Sequence, residues 1–199
     1  MMKTAPLFFA ALFLAGCATP SFVSPVEVTR FAAPQASFGQ ASLGRGTISI
    51  SAAPGTDASA LGYAAFADAV SSELTSLGYN VVAQGGAQVA LVSLSQRVSQ
   101  PDRRSPVSVG GGGSVGSYGS GVGLGIGLNL SPRPAEAIET QLSLAIRPAS
   151  GGTNLWEGRA SMSASANSDY GTAQATAARM ADALLQGFPA GSGETILVE

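Results

Sequence analysis

The chain has no histidine, and its 199 residues include one lysine and one cysteine. Without histidine it can form neither a Ser-His-Asp or Cys-His catalytic group nor an imidazole site for a metal ion. The lysine is Lys3 and the cysteine is Cys17, both close to the N-terminus. One cysteine cannot form a disulfide within the chain, and no lysine follows Lys3 to complete a Ser-Lys pair. We therefore expect no catalytic centre, no metal ion and no cofactor.

Charge is scarce as well, because only 11% of the residues are charged and the formal net charge is −2. The chain has no basic run beyond Arg103-Arg104. Nucleic-acid-binding surfaces cluster Lys and Arg, so we expect no nucleic-acid partner. A hydrolase could still use a pair of carboxylates, but the 12 acidic residues are scattered along the chain. This scatter is typical of a solvated surface, and the chain is predicted not to be an enzyme.

The N-terminal residues have the pattern of a secretory signal peptide. Lys3 and the amino terminus supply positive charge, and an uncharged apolar run follows from Leu7 to Leu14. The run is too short to cross a bilayer as a helix, which takes about 20 residues. A positive start, a short apolar core and small residues at the end are typical of a cleaved leader. We expect residues 1–16 to be this leader.

The leader ends in Leu14-Ala15-Gly16-Cys17, which resembles the lipobox of bacterial lipoproteins. The resemblance implies that Cys17 is acylated and becomes the first residue of the mature protein. The alternative, a cysteine buried in a hydrophobic helix, is disfavoured by the charge, length and position of the run. Two or more acyl chains hold a protein firmly on a bilayer. The predicted partner is therefore a membrane, bound through lipid on Cys17.

Residue 18 and the residues after it predict where the domain lies. By resemblance to enterobacterial sorting, an Asp after the cysteine favours the inner membrane, so Ala18 indicates the periplasmic face of the outer membrane. Residues 17–25 are predicted to be a flexible spacer and residues 26–189 one domain. Residues 190–199 form a tail that is Gly- and Ser-rich and then apolar. This tail is either docked on the domain or loose.

Hydrophobic periodicity predicts strands separated by two helices. The predicted strands cover residues 26–31, 47–51, 79–82, 88–98, 138–146 and 155–162. The first helix has its apolar stripe at Leu61, Tyr63, Phe66, Val70, Leu74 and Leu77, with Thr56 or Asp57 as its cap and Gly78 at its end. The second has its stripe at Ala173, Ala177, Met180, Ala181, Leu184 and Leu185, with Ser168 or Asp169 as its cap. We expect an α+β fold, a mostly antiparallel sheet covered by two helices, with Trp156 as a core anchor.

A Gly-rich excursion interrupts this order between residues 110 and 129. Glycines at 111, 113 and 116 match a dinucleotide fingerprint, but no helix follows them, so no nucleotide site is expected. Further on, Val122, Leu124, Ile126 and Leu128 alternate with glycine. One interpretation is a flexible loop over residues 110–120 that leads into a glycine-faced strand. The other is a hairpin that adds to a partner's sheet or inserts into lipid, which makes the four apolar residues candidate partner-binding residues.

Several short motifs recur together in a known family. They are the Cys17-Ala-Thr-Pro start, Arg30-Phe31 at the end of a strand, Leu77-Gly78-Tyr79 at the end of a helix, Ala87–Val92, Leu155–Ala160, and Phe188-Pro189 after the last helix. Together they resemble the bacterial lipoprotein family known as domain of unknown function 4136, over about residues 26–189. The resemblance implies an α+β envelope lipoprotein and supplies no activity or catalytic residue.

Three functions are consistent with these observations. The first is a lipid-anchored, non-catalytic module that binds or scaffolds another component of the cell envelope. The second is an assembly lipoprotein whose Gly-rich segment pairs with a transport or secretion complex. The third, a periplasmic hydrolase that uses carboxylates, is the least favoured.

Overall fold

Nine strands and two helices lie within the described residues of the computed structural model, which are 19–34, 43–99, 107–116, 119–128 and 135–199. The strands are β1 (Val26–Ala32), β2 (Thr47–Ala52), β3 (Asn80–Val82), β4 (Gln88–Ser99), β5 (Val107–Gly116), β6 (Gly119–Leu128), β7 (Ala137–Pro148), β8 (Trp156–Ser165) and β9 (Ser192–Val198). The helices are α1 (Tyr63–Ser76) and α2 (Ala173–Leu185). Strands β5 and β6 belong to a separate compact unit and are described below by themselves.

Seven strands form one sheet in the order β3-β2-β4-β7-β8-β1-β9. Strand β2 runs parallel to both of its neighbours, β3 and β4. The other neighbouring pairs are antiparallel. The sheet is therefore mixed, and this corrects the expectation of an α+β fold with a mostly antiparallel sheet.

The parallel pairs arise from two connections that the periodicity does not reveal. Helix α1 carries the chain from β2 back to the beginning of β3, and such a crossover makes neighbouring strands parallel. Residues 83–87 then carry the chain past β2 to its other side, where β4 begins. Gly86 permits this passage, because a Cβ atom there would lie 2.6 Å from the backbone nitrogen of Ser49.

Both helices pack on the same face of the sheet, and every second strand residue points to them. In the antiparallel strands most of these inward residues are apolar or small, and Arg30 in β1 is an exception. The largest fully buried side chains are Trp156, Phe66, Ile48, Leu74, Leu142, Leu144, Ile146, Met180, Leu184, Leu185, Val26 and Val28. The predicted stripes of both helices thus supply much of the core, with one exception: Leu61 is 99% exposed.

Both predicted helix caps are wrong. Helix α1 begins after Gly62, which has a φ of 94° and makes no side-chain cap. Asp57 instead accepts hydrogen bonds from the Ser59 backbone and hydroxyl, at 2.9 and 2.6 Å, and these lower its pKa. Helix α2 is capped by Thr172, whose hydroxyl accepts from the Ala175 N–H at 3.3 Å. Asp and Thr side chains form short-range hydrogen bonds in turns as well as at helix caps. An Asp or Thr shortly before a helical pattern therefore does not by itself identify the cap.

Trp156 is a core anchor, as predicted, with 1% of its surface exposed. Its ring packs edge-on against Phe188, with 5.3 Å between ring centroids, and its indole N–H lies 3.4 Å from the Ala190 carbonyl oxygen. Gly158 leaves room for this ring, because a Cβ atom there would lie 2.7 Å from Leu184 Cδ1 and 2.9 Å from Trp156 Cζ3. The predicted tail is docked: it forms β9, which pairs with β1.

We expect Trp156→Ala to lower the free energy of unfolding by about 3–5 kcal/mol, because the change leaves a cavity between the sheet and α2. Denaturant unfolding measures this loss. The control is Leu61→Ala, which removes a fully solvated side chain and should change stability by less than about 0.5 kcal/mol. A loss at Trp156 no larger than that of the control would contradict its place in the core.

Candidate functional site

The site predicted at Cys17 lies outside the described residues, so its acylation stays a prediction. The first described residues nevertheless show where the anchor segment joins the domain. The Phe22 N–H donates to Ser165 Oγ at 2.8 Å, and the Ser165 N–H donates to the Phe22 carbonyl at 2.8 Å. The Ser24 N–H donates to the Ser163 carbonyl at 2.8 Å. Residues 22–24 of the predicted spacer are therefore fixed along β8.

The Gly-rich excursion contains a regular β-hairpin. Strands β5 and β6 pair antiparallel from Val107 opposite Leu128 to Gly116 opposite Gly119, without a register shift. The flexible-loop interpretation is therefore wrong for residues 110–116, which form a strand. The sequence concealed this strand because glycine weakens strand propensity and interrupts the apolar alternation.

The register sorts the residues of the hairpin into two faces. Residues directly opposite each other in an antiparallel pair share a face, and successive residues alternate between faces. One face holds Val107, Val109, Gly111, Gly113 and Val115 with Ser120, Val122, Leu124, Ile126 and Leu128. The other holds only glycine and serine: Ser108, Gly110, Gly112, Ser114 and Gly116 with Gly119, Gly121, Gly123, Gly125 and Gly127. The four candidate partner-binding residues thus share one face, and their binding role stays a prediction.

Strands β4 and β7 could be joined by a much shorter connection than this excursion. Strands β4 and β7 are antiparallel neighbours, and their last pair is Ser99 opposite Ala137. A turn of about two to five residues would join two such strands. The chain instead uses residues 100–136, and long additions of this kind in compact domains are usually either functional or disordered.

A second candidate surface is the sheet face opposite the helices, here called the open face. No described helix covers it. Its centre is a groove of about 460 Å³ lined by residues that include Thr29, Phe31, Leu91, Ser93, Ser143, Ala145, Asn154, Glu157 and Arg159. Phe31 is 55% exposed, and the Asn154 amide donates to Glu157 at 2.6 Å. The groove thus combines small residues, an exposed aromatic ring and charges of both signs. This composition is more typical of a surface that binds a partner than of a catalytic site.

Sequence reasoning missed the open face although the signal was present. In β1, Val26 and Val28 point inward, so alternation places Thr29 and Phe31 on the opposite face. An exposed Phe31, out of phase with the inward valines Val26 and Val28, is therefore visible in the sequence once the helix-covered face is known. The sequence does not show which face the helices cover, because contacts between residues distant in sequence determine it.

A smaller cavity of about 330 Å³ lies on the helix side of β1 and includes Arg30 and Glu194 in its lining. The Arg30 Nη2 donates to the Ala183 carbonyl at 2.7 Å, in the last turn of α2, where the helix dipole favours a cation. Partial burial lowers the pKa of this guanidinium. Arg30 joins β1 to α2, and we assign it a structural role.

The part of the chain that the structure describes contains no cluster of three or more Cys, Asp or Glu residues that could hold a metal ion. None of its helices is long and apolar enough to cross a bilayer.

No protein-family model matches the chain, and no curated protein matches it. Among solved structures, it is similar to a PDZ domain protein from Parabacteroides distasonis, with 13% identity over 89% of this chain and a TM-score of 0.48. The match spans only 38% of that protein's length. Two structures of the PelC dodecamer from Paraburkholderia phytofirmans match at 9% identity over 80% of this chain and 94% of theirs, with TM-scores of 0.41 and 0.42. These similarities are too low to support a function, and the family resemblance seen in the sequence stays a prediction.

We expect that replacing residues 100–136 by a short Asn-Gly turn leaves the sheet intact, because Ser99 and Ala137 already lie opposite each other. Thermal unfolding should show a melting temperature within about 4 °C of the parent protein, since the cost of loop closure varies slowly with loop length. A fall of more than about 10 °C would mean that the sheet depends on the excursion.

Proposed function

We propose that the protein is a lipid-anchored lipoprotein of the bacterial outer membrane, facing the periplasm, which binds another envelope component without catalysing a reaction. The observation that carries this proposal is the sequence Leu14-Ala15-Gly16-Cys17 at the end of a short, charge-free apolar run. The resemblance to envelope lipoproteins over residues 26–189 points the same way.

The junction between anchor and domain is consistent with this role. Only residues 18–21 separate Cys17 from Phe22, which is hydrogen-bonded to β8. An extended chain spans at most about 3.6 Å per residue, so Cys17 lies within about 18 Å of Phe22. An acylated Cys17 would therefore hold the domain close to the membrane surface and would leave the open face available to a partner in the periplasm.

The open face supports a binding role through its composition. Phe31 is an exposed aromatic side chain, and Glu157 and Arg159 place opposite charges beside it on the neighbouring strand. Aromatic and arginine side chains are enriched in protein interfaces, where they provide much of the binding energy. We propose the groove around Phe31 as the contact surface for a protein partner.

The lipid anchor is tested by mass spectrometry of the mature protein and by fractionation of the cell envelope. Wild-type protein should begin with an acylated Cys17 and sediment with the outer membrane. Cys17→Ser should abolish acylation, and Ala18→Asp should keep it while moving the protein toward the inner membrane. An unmodified Cys17 on the mature wild-type protein would overturn the proposal.

The contact surface is tested by a photoreactive amino acid placed at Phe31 in the intact envelope. We expect a specific cross-linked partner from this position and none from the control position Ser150, which is exposed in the turn between β7 and β8. Phe31→Ser should abolish co-purification of that partner. It should change the melting temperature by no more than about 4 °C, because the ring is only half-buried. Equal capture from both positions would remove the open face as the binding surface.

A further inference from the structure

We infer that the outer edge of β9 pairs antiparallel with the same edge of a second copy of the chain, so that two domains share one continuous sheet. The twofold axis of this pair passes through Ile196, which lies opposite Ile196 of the second copy. The inference goes beyond the proposed function and does not depend on it, because neither lipid on Cys17 nor a partner in the groove takes part in the pairing.

The seven-stranded sheet ends in two edge strands of unequal length. At one end is β3, which has three residues, and at the other is β9, which has seven. Within the described residues β9 pairs with β1 alone, so its outer side has no strand partner there. The backbone groups along such an edge are a template for a strand of another chain.

Strand β9 has few of the features that normally prevent edge pairing. Lysine and proline commonly protect an edge strand, and β9 contains neither. Its one charged residue is Glu194. The register against β1 shifts near the start of β9, and the pairing is regular from Thr195 to Val198. The regular part of the strand therefore offers an even edge to a partner.

Apolar side chains are exposed on both faces of β9. Ile196 lies opposite Val28, which is fully buried, so Ile196 is on the helix side, and yet it is 41% exposed. The cavity of about 330 Å³ that Ile196 helps to line lies on the same side. Leu197 is on the open face and is 63% exposed. A strand added to this edge would cover part of both side chains, and burial of their apolar area favours the pairing.

The edge is ordered before any partner binds. On the open face, the hydroxyl groups of Thr195 and Thr29 are hydrogen-bonded at 2.8 Å. Just before the strand, the indole N–H of Trp156 lies 3.4 Å from the carbonyl oxygen of Ala190. Because β9 is already fixed against β1, little conformational entropy is lost when a partner strand is added.

A second copy is the occupant that the lengths of the two edges favour. Pairing of β9 with β3 of another copy would give a ladder of at most three residues and would propagate into an open assembly. Pairing of β9 with β9 uses the five residues from Glu194 to Val198 and closes as a symmetric dimer. Because opposite residues in an antiparallel pair share a face, the helix sides of the two copies match when the axis passes through a residue.

The register through Ile196 also suits the side chains that it brings together. On the helix side, Ile196 meets Ile196 of the second copy, and Glu194 meets Val198, so the two carboxylates do not face each other. On the open face, Thr195 meets Leu197. Apolar and β-branched residues are favourable when they lie opposite each other, whereas like charges are unfavourable.

The first test changes the charge at the axis. Ile196→Lys and Ile196→Glu each place two like charges opposite each other, so each variant alone should be a monomer where the parent chain is a dimer. Light scattering of the purified full-length chain, corrected for detergent, measures the mass. An equal mixture of the two variants should restore the dimer, because lysine then faces glutamate. The control is Leu61→Lys, which adds the same charge at a leucine that is 99% exposed and lies outside β9, and it should stay dimeric.

The second test reads the register by disulfide formation. In a full-length chain that carries Cys17→Ser, an introduced cysteine is the only one. Ile196→Cys should give a disulfide-linked dimer, since the Cα atoms of opposite residues are about 4.5–5.5 Å apart. Leu197→Cys places its two cysteines on a diagonal of about 7–8 Å and should give little. Ser150→Cys, exposed in the turn between β7 and β8, should give none.

A parent chain that is monomeric would overturn the inference. So would an Ile196→Lys or Ile196→Glu variant that remains dimeric alone, or a mixture that stays monomeric although both variants keep the melting temperature of the parent. Equal disulfide formation at positions 196 and 150 would show random collision instead of a shared edge. These results do not depend on acylation of Cys17, so they are distinguishable from a failure of the proposed lipid anchor.

Discussion

The fold depends on the packing of two helices against one face of a single sheet. Trp156, Gly158 and Leu184 pack closely in this contact, since the ring occupies the space that a side chain on Gly158 would take. Apolar burial on one side stabilises the domain by an amount that grows with the buried area. Because both helices lie on that side, the outward residues of β1, β4, β7 and β8 are not needed for the core. The open face is therefore a direct result of how the core is built.

The same arrangement separates the molecule into surfaces with different tasks. The helix side gives stability, and the open face gives a groove with an exposed ring. The end of the sheet at Ser99 and Ala137 holds the chain's connections to the excursion over residues 100–136. The row Phe22, Ser165, Ala137 and Ser99 joins the N-terminal segment to the two strand ends from which the excursion leaves and to which it returns.

Much of the fold is present in the sequence as periodicity, and the failures have physical causes. The alternation around Leu142 and Leu144 and the helical spacing of Phe66, Val70 and Leu74 predict elements that the structure contains. Hydrophobic periodicity does not show in which direction a strand runs, so the parallel pairing of β2 was missed. Runs of glycine show no alternation of apolar and polar residues, so β5 was missed. For the candidate sites, the apolar alternation of β6 was visible, but its partner strand, and hence the shared face, follows only from the register. Exposure at Leu61 and Phe31 is a tertiary property that neighbouring residues do not determine.

The position of β1 in the sheet has a consequence for the order in which the chain can fold. Strand β1 comes first in the sequence, yet its two neighbours are β8 and β9, which come last. While the chain emerges from a ribosome or a translocation pore, β1 has neither of its ladder partners and the sheet cannot close. Such non-local pairing slows folding. The finished sheet therefore forms only when the last strand has been made.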